Sequence, residues 1–160
     1  MITQAFLQDR FWLNDLGHLV RRHATYGHAA GSFATGRDRH GYVVMTINKK
    51  TYRAHRLVWL YVHGSWPERD IDHINRIKHD NRPTNLRLAT KSQNRQNILA
   101  HKNNQSGLKG VWLHKQTGKW CASICVNGKN VHLCSRDTKE EAQKSYIRAS
   151  KYFHEYSIYR

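Results

Sequence analysis

Two stretches between Pro67 and Ala100, Asp70 to Ile74 and Asn85 to Ala89, have the length of short strands, and the polar residues Asn75 to Thr84 keep them apart. Thr90-Lys91-Ser92-Gln93 follows at once and reads as a capping box, with Thr90 as N-cap and Gln93 at the third helical position. A helix to about Leu99 is expected, with Asn94 in its first turns. Strand, polar loop, strand, helix is a restrictive order. It offers a compact way to gather Asp72, His73, Asn85 and Asn94. A carboxylate and a side-chain amide oxygen suit a hard divalent cation, and a histidine beside them can deprotonate water.

The segments on either side carry their own punctuation. Residues 1–54 read as a β-rich basic segment. Phe11-Trp12-Leu13 and His18-Leu19-Val20 form a hairpin turning at Asp15–Gly17. Residues 24–40 form a basic loop, and Tyr42 to Ile47 pairs with Thr51 to Ala54 across Asn48-Lys49-Lys50. His55 to His63 is predicted helical and to end at Gly64, with His55 packing beneath the core. Residues 106–160 give three strands (Leu108 to His114, Trp120 to Val126, Asn130 to Cys134), the last two joined by Asn127-Gly128. Thr138-x-x-Glu141 opens a final helix to about Glu155. Its stripe of Ala142, Tyr146, Ala149 and Phe153 should cover the Trp120/Ala122/Ile124 face. The other face, with Ser123, Cys125, His114, Lys115, Lys129 and His132, is left for a partner.

Charge narrows the partner. Lys and Arg number 27 against 11 Asp and Glu, a net charge of +16, and the isoelectric point is about 10.2. The excess is spread over residues 1–54, 55–105 and 106–160 alike, as expected of several segments touching one long polyanion. An amphipathic Lys/Arg helix is missing, and the apolar run Leu57 to Val62 is too short to span a bilayer, so no membrane partner is expected. The N-terminus has neither a basic n-region nor an apolar h-region, and a cytoplasmic location follows, that of a host if the chain is phage-encoded. Three cysteines, Cys121, Cys125 and Cys134, form no Cys-x-x-Cys pair, and no structural zinc is expected.

His55-Arg56-Leu57-Val58-Trp59, Gly64-x-Trp66-Pro67, Asp72-His73-Ile74-Asn75, Asp80-Asn81-Arg82, Asn85-Leu86-Arg87 and Asn94 together resemble the HNH endonucleases of phages and mobile introns, which share a ββα-metal fold. Residues 107–155, from Gly107-Leu108-Lys109-Gly110-Val111-Trp112 through Gly118-Lys119-Trp120, resemble an AP2 DNA-binding domain. The implied fold class is α+β: a ββα-metal core at 55–105, after a β-rich segment at 1–54 and before an AP2-like sheet and helix at 106–160. The resemblance implies that Asp72 and Asn94 hold one Mg²⁺ or Mn²⁺, that His73 is the general base, and that Asn85 orients His73 or the scissile phosphate. It implies cleavage of double-stranded DNA, with a free-standing homing endonuclease as one form. Arg76, Lys78, Arg82, Arg87 and Arg95 are expected to include phosphate contacts, and His114, Lys115 and Lys129 to add contacts from the sheet.

The AP2-like positions Trp112, His114, Thr117, Ser123, Cys125, Asn130 and His132 keep almost none of the plant domains' DNA-contacting residue types. Leu133-Cys134-Ser135-Arg136 replaces their Leu-Gly-x-Phe. No target sequence transfers. A non-catalytic, sequence-specific DNA-binding regulator built on the same fold is the alternative. Oligomeric state is not encoded in any pattern here.

Overall fold

A computed structural model describes every residue except Tyr26, Lys102, Ile158 and Arg160. It consists of two compact units, Met1–Thr90 and Lys91–Arg160. Among the described residues no helix is long and apolar enough to cross a membrane.

The first unit begins with a helix that the β-rich reading of residues 1–54 did not anticipate. Helix α1 (Gln4–Arg10) is capped by Thr3, whose hydroxyl accepts the Phe6 N–H at 3.2 Å. Two turns are too short to show helical periodicity, and α1 depends on tertiary packing through the fully buried Leu7. Strands β1 (Phe11–Leu13) and β2 (Leu19–Arg21) then pair antiparallel, Phe11 opposite Arg21. The expected turn joins them, with Asn14 Oδ1 accepting from the Leu16 and His18 amides.

Strands β3 (Val44–Ile47) and β4 (Lys50–Arg53) form a second hairpin. Asn48 and Lys49 take φ of 50° and 61°, the left-handed pair that a two-residue turn needs. Helix α2 (Ala54–His63) follows, and Gly64 (φ 78°) ends it in the left-handed conformation, as its position predicts. Leu57, Val58 and Leu60 put their apolar face into a core shared with Leu7, Phe11, Leu19, Met45, Ile47, Ile71 and Leu86. Each such side chain contributes about 2 kcal/mol. The core therefore clamps α2 under strand β5 (Asp70–His73) and its antiparallel partner β6 (Leu86–Ala89). A 3₁₀ turn, Pro83–Asn85, leads into β6, so Asn85 stands just before the strand.

In the second unit, helix α3 (Lys91–Asn97) stops before Ile98 and Leu99, both exposed. The Lys109 ammonium donates to the carbonyls of Arg95, Gln96 and Ile98, satisfying the helix C-terminus and favouring its dipole. Gln93 and Gln96 bond Glu155 and the Tyr156 amide, tying α3 to the chain after the last helix. Strands β7 (Val111–His114), β8 (Lys119–Val126) and β9 (Lys129–Arg136) make an antiparallel sheet in the order β7-β8-β9. Thr138 caps helix α4 (Lys139–Phe153) by accepting from Glu141 N at 3.3 Å.

Ala142 and Tyr146 of α4 pack on Val111, Ala122 and Ile124, with Trp120 and Ala149 alongside, so the expected face is the covered one. Phe153 is not part of that stripe; it is exposed. The buried face runs Ala142, Tyr146, Ser150 and then His154, whose Nε2 donates to the Cys125 carbonyl at 2.8 Å as the helix ends. All three cysteines are free thiols.

Candidate active site

Strand β5 buries Ile71, Asp72 and His73 in succession, an arrangement that a lone hairpin strand permits only if both faces are covered. Asp72 and His73 are 7% and 4% exposed. Arg87, opposite Asp72 in the β5–β6 ladder, donates from Nε (2.9 Å) and Nη2 (2.8 Å) to the same carboxylate oxygen, Oδ2. That clamp sets the rotamer of Asp72 and offsets the cost of burying its charge.

His73 Nε2 lies 3.1 Å from Asn81 Oδ1. An amide oxygen can only accept, so Nε2 carries the proton and the neutral ring keeps its lone pair on Nδ1. Burial pushes the His73 pKa below the ordinary histidine value, against the upward pull of the Asn81 bond and of the Asp72 charge. The ring is therefore neutral near pH 7. Asn81 is itself 1% exposed. From sequence it reads as a turn-capping residue, and only the fold of its loop shows that it sets the tautomer of His73.

Asn85 acts elsewhere. Its side chain accepts from Asn75 N (2.9 Å) and donates to Asn75 Oδ1 (3.0 Å) and to the Asp80 carbonyl (2.7 Å). Asn75 Nδ2 in turn donates to Asp80 Oδ2 at 2.7 Å, and Arg82 grips the same carboxylate. The Arg82 bonds hold the Asp80 pKa down at about 2. Asn85 thus braces the loop that delivers Asn81. Asn94 lies on α3, in the second unit, and is not among the residues that the first unit gathers.

Two aromatic neighbours complete the setting. His55, at the start of α2, meets the His73 ring edge-on at a centroid distance of 5.2 Å, and Tyr42 lies 5.0 Å from His55 and 5.8 Å from His73. Desolvation, reinforced by His73, drives the His55 pKa down to about 3. The expectation that His55 packs beneath the core is met, with the addition that it packs against His73. A pH dependence of stability follows. Between the unfolded pKa near 6.5 and the folded value of about 3, only the unfolded chain takes up a proton at His55, so stability falls as pH falls. From pH 7.5 to 4.5, His55→Leu should lose about 1–3 kcal/mol less than the wild type in urea titrations. Equal losses in the two proteins would refute this account of His55.

The basic residues expected to meet phosphate divide by their bonds. Arg82 and Arg87 hold Asp80 and Asp72. Lys78 donates to the His40 carbonyl at 2.9 Å and sits 5.0 Å from the Tyr42 ring centroid. Arg76 is exposed at a left-handed turn position (φ 65°), its amide bonded to His73 O, so its backbone adjoins the site. Arg95 is exposed on α3, and His114, Lys115 and Lys129 are exposed at the β7–β8 and β8–β9 turns. Trp112 and His132 approach edge to face across the sheet at 6.4 Å.

The strand pair carrying Asp72 and His73 and the braced polar loop between its strands lie within a segment that known proteins share. Residues 52–96 match the family model described as HNH endonuclease, which places an HNH endonuclease domain from β4 to α3. The chain belongs to the same family as Protein 3.8 of Escherichia phage T7, with 36% identity over 92 residues, 57% of this chain and 76% of the phage protein. No solved structure matches the chain.

Proposed function

We propose that the protein is a metal-dependent DNA endonuclease that hydrolyses phosphodiester bonds, with His73 as general base. The observation that carries this reading is the buried Asp72–His73 pair on β5, with Asn81 fixing the proton on Nε2. His73 Nδ1 accepts a proton from water as the water oxygen attacks phosphorus, the bond to the 3′-oxygen breaks and that oxygen takes a proton from a solvent water, giving a 5′-phosphate and a 3′-hydroxyl.

Asp72 would hold one Mg²⁺ or Mn²⁺ through its carboxylate, and the family resemblance assigns Asn94, in the second unit, as the amide donor. Their chemistry fits: Mg²⁺ keeps most of its waters and takes one or two protein carboxylates plus substrate phosphate. No three His, Cys, Asp or Glu side chains converge among the described residues. An Asp/Asn pair is a different donor set, suited to hard cations rather than to zinc. A bound divalent ion would supply neutralisation of the charge developing at phosphorus and on the leaving oxygen.

Asn85 serves by bracing the 75–85 loop, and Arg76, with Arg95, supplies charge to neighbouring phosphates. The sheet and helix of the second unit act as an AP2-like DNA clamp through His114, Lys115 and Lys129. The three functional parts of the chain, 1–54, 55–105 and 106–160, then act on one double-stranded substrate, as a free-standing homing endonuclease would.

The test is conversion of supercoiled plasmid. Mg²⁺ or Mn²⁺ should support nicked or linear product, and EDTA should abolish it. Tight, salt-sensitive binding with no cleavage under any divalent cation would identify a DNA-binding regulator instead.

A further inference from the structure

A second polar feature of the first unit lies outside the HNH residues. Arg21, at the end of β2, is 7% exposed, yet among the described residues its guanidinium has no carboxylate within salt-bridge distance. Among the described residues its side chain makes one hydrogen bond, from Nη1 to Ser32 Oγ at a long 3.3 Å. A guanidinium carries five N–H donors, so most of this one is unused. Burial lowers the Arg21 pKa from its ordinary value, with no counter-charge to oppose the shift. The residue is covered, but its unused donors face the cavity rather than protein, an arrangement that an anion would complete.

Arg21 lines a cavity of about 160 Å³. That is room for about five water molecules, or for a phosphate group with part of its hydration. Arg10, His23 and His28 line the same cavity, with Thr25 and Thr46, while Phe6 and Phe11 form an apolar wall. The acidic residue near this set is Asp9, paired with Arg10 Nε at 3.1 Å on the surface. The lining therefore includes two guanidinium groups, Arg10 and Arg21, and no acidic residue, and the guanidinium fork matches phosphate oxygens.

We infer that the Arg21 cavity is a phosphate-binding site, filled by a backbone phosphodiester of the nucleic acid that this protein engages. The N-terminal segment then holds the substrate backbone at a point set by the β1–β2 hairpin. The inference rests on the DNA-binding part of the proposed function and not on its chemistry, so all measurements are made in EDTA, where no cleavage intervenes.

Arg21→Met keeps the length and packing of the stem and removes the donors. Its affinity for a short DNA duplex should fall about tenfold. The slope of log affinity against log salt should become shallower by about one, the release expected for one phosphate. Should Arg21→Met not fold, the exposed rim variant His23→Ala/His28→Ala is measured instead and should weaken duplex binding at least threefold. In the wild type, duplex should shift the Arg21 Nε–H resonance at micromolar concentration, and inorganic phosphate should do so only at millimolar concentration. Unchanged affinity and salt slope in a folded Arg21→Met protein, or in the rim variant, would overturn the site. A shift with inorganic phosphate and none with duplex would overturn the assignment to a nucleic-acid backbone. A protein that binds duplex through Arg21 and never cleaves it leaves this site standing and removes only the catalytic reading.

Discussion

His73→Ala should lower plasmid cleavage by about 10²–10⁴-fold, the range for loss of a positioned general base. Affinity for duplex in EDTA should stay within about twofold of wild type, because the ring lies under the loop rather than on the exposed basic surface. Thermal melting separates chemistry from folding. The substitution strands Asn81 Oδ1 without its 3.1 Å partner, and one unsatisfied buried polar group costs about 1–3 kcal/mol. That is a visible shift but not an unfolded protein. Asn81→Leu gives an independent reading of the same bond. With Asn81 absent, the proton on His73 is free to move to Nδ1, and kcat should fall about tenfold with KM unchanged. A His73→Ala protein that is folded and cuts at the wild-type rate would eliminate His73 as the base.

Gly17→Ala is expected to be the most damaging small substitution in the first unit, costing about 2–4 kcal/mol. Gly17 ends the β1–β2 turn at φ 79°, where an L side chain is strained. A Cβ there would also overlap the backbone of Asn81 and Arg82, with Asn81 O at 2.6 Å. Backbone cannot swing aside as a long side chain does. The hairpin or the loop must shift, and that loop carries the residue bonded to His73. Urea midpoints should therefore drop, and cleavage by the protein that remains folded should drop with them. Gly36→Ala is the control, since no atom lies within 4 Å of its Cβ and its effect should stay within about 0.5 kcal/mol. Similar losses at both glycines would show that the contact of the hairpin with the Asn81 loop is unimportant.

These two substitutions mark how far the site was legible in advance. Asp72 and His73 stand next to each other in the chain, and their strand was readable because β5 is local and its partner follows one loop later. The cap at Thr138, the left-handed stop at Gly64 and the Asn127–Gly128 turn are likewise short-range devices, satisfied within a few residues. Helix α1 and the outward Phe153 were missed for the converse reason. One is too short to show a period and is held by distant neighbours, and the other lies where the helix ends and His154 takes the buried position.

The sequence by itself determined most elements of this protein other than α1, the Asp-His pair and the evenly spread basic charge, because capping, turn chemistry, alternation and charge act over a few residues or add without regard to shape. Only the tertiary structure decided which amide holds His73, why Gly17 must be glycine, and that Arg21 is covered with no carboxylate beside it among the described residues. Those are contacts between segments far apart in the chain. Which polar atoms remain unmatched after the chain closes depends on packing in three dimensions, and no spacing along one dimension encodes it.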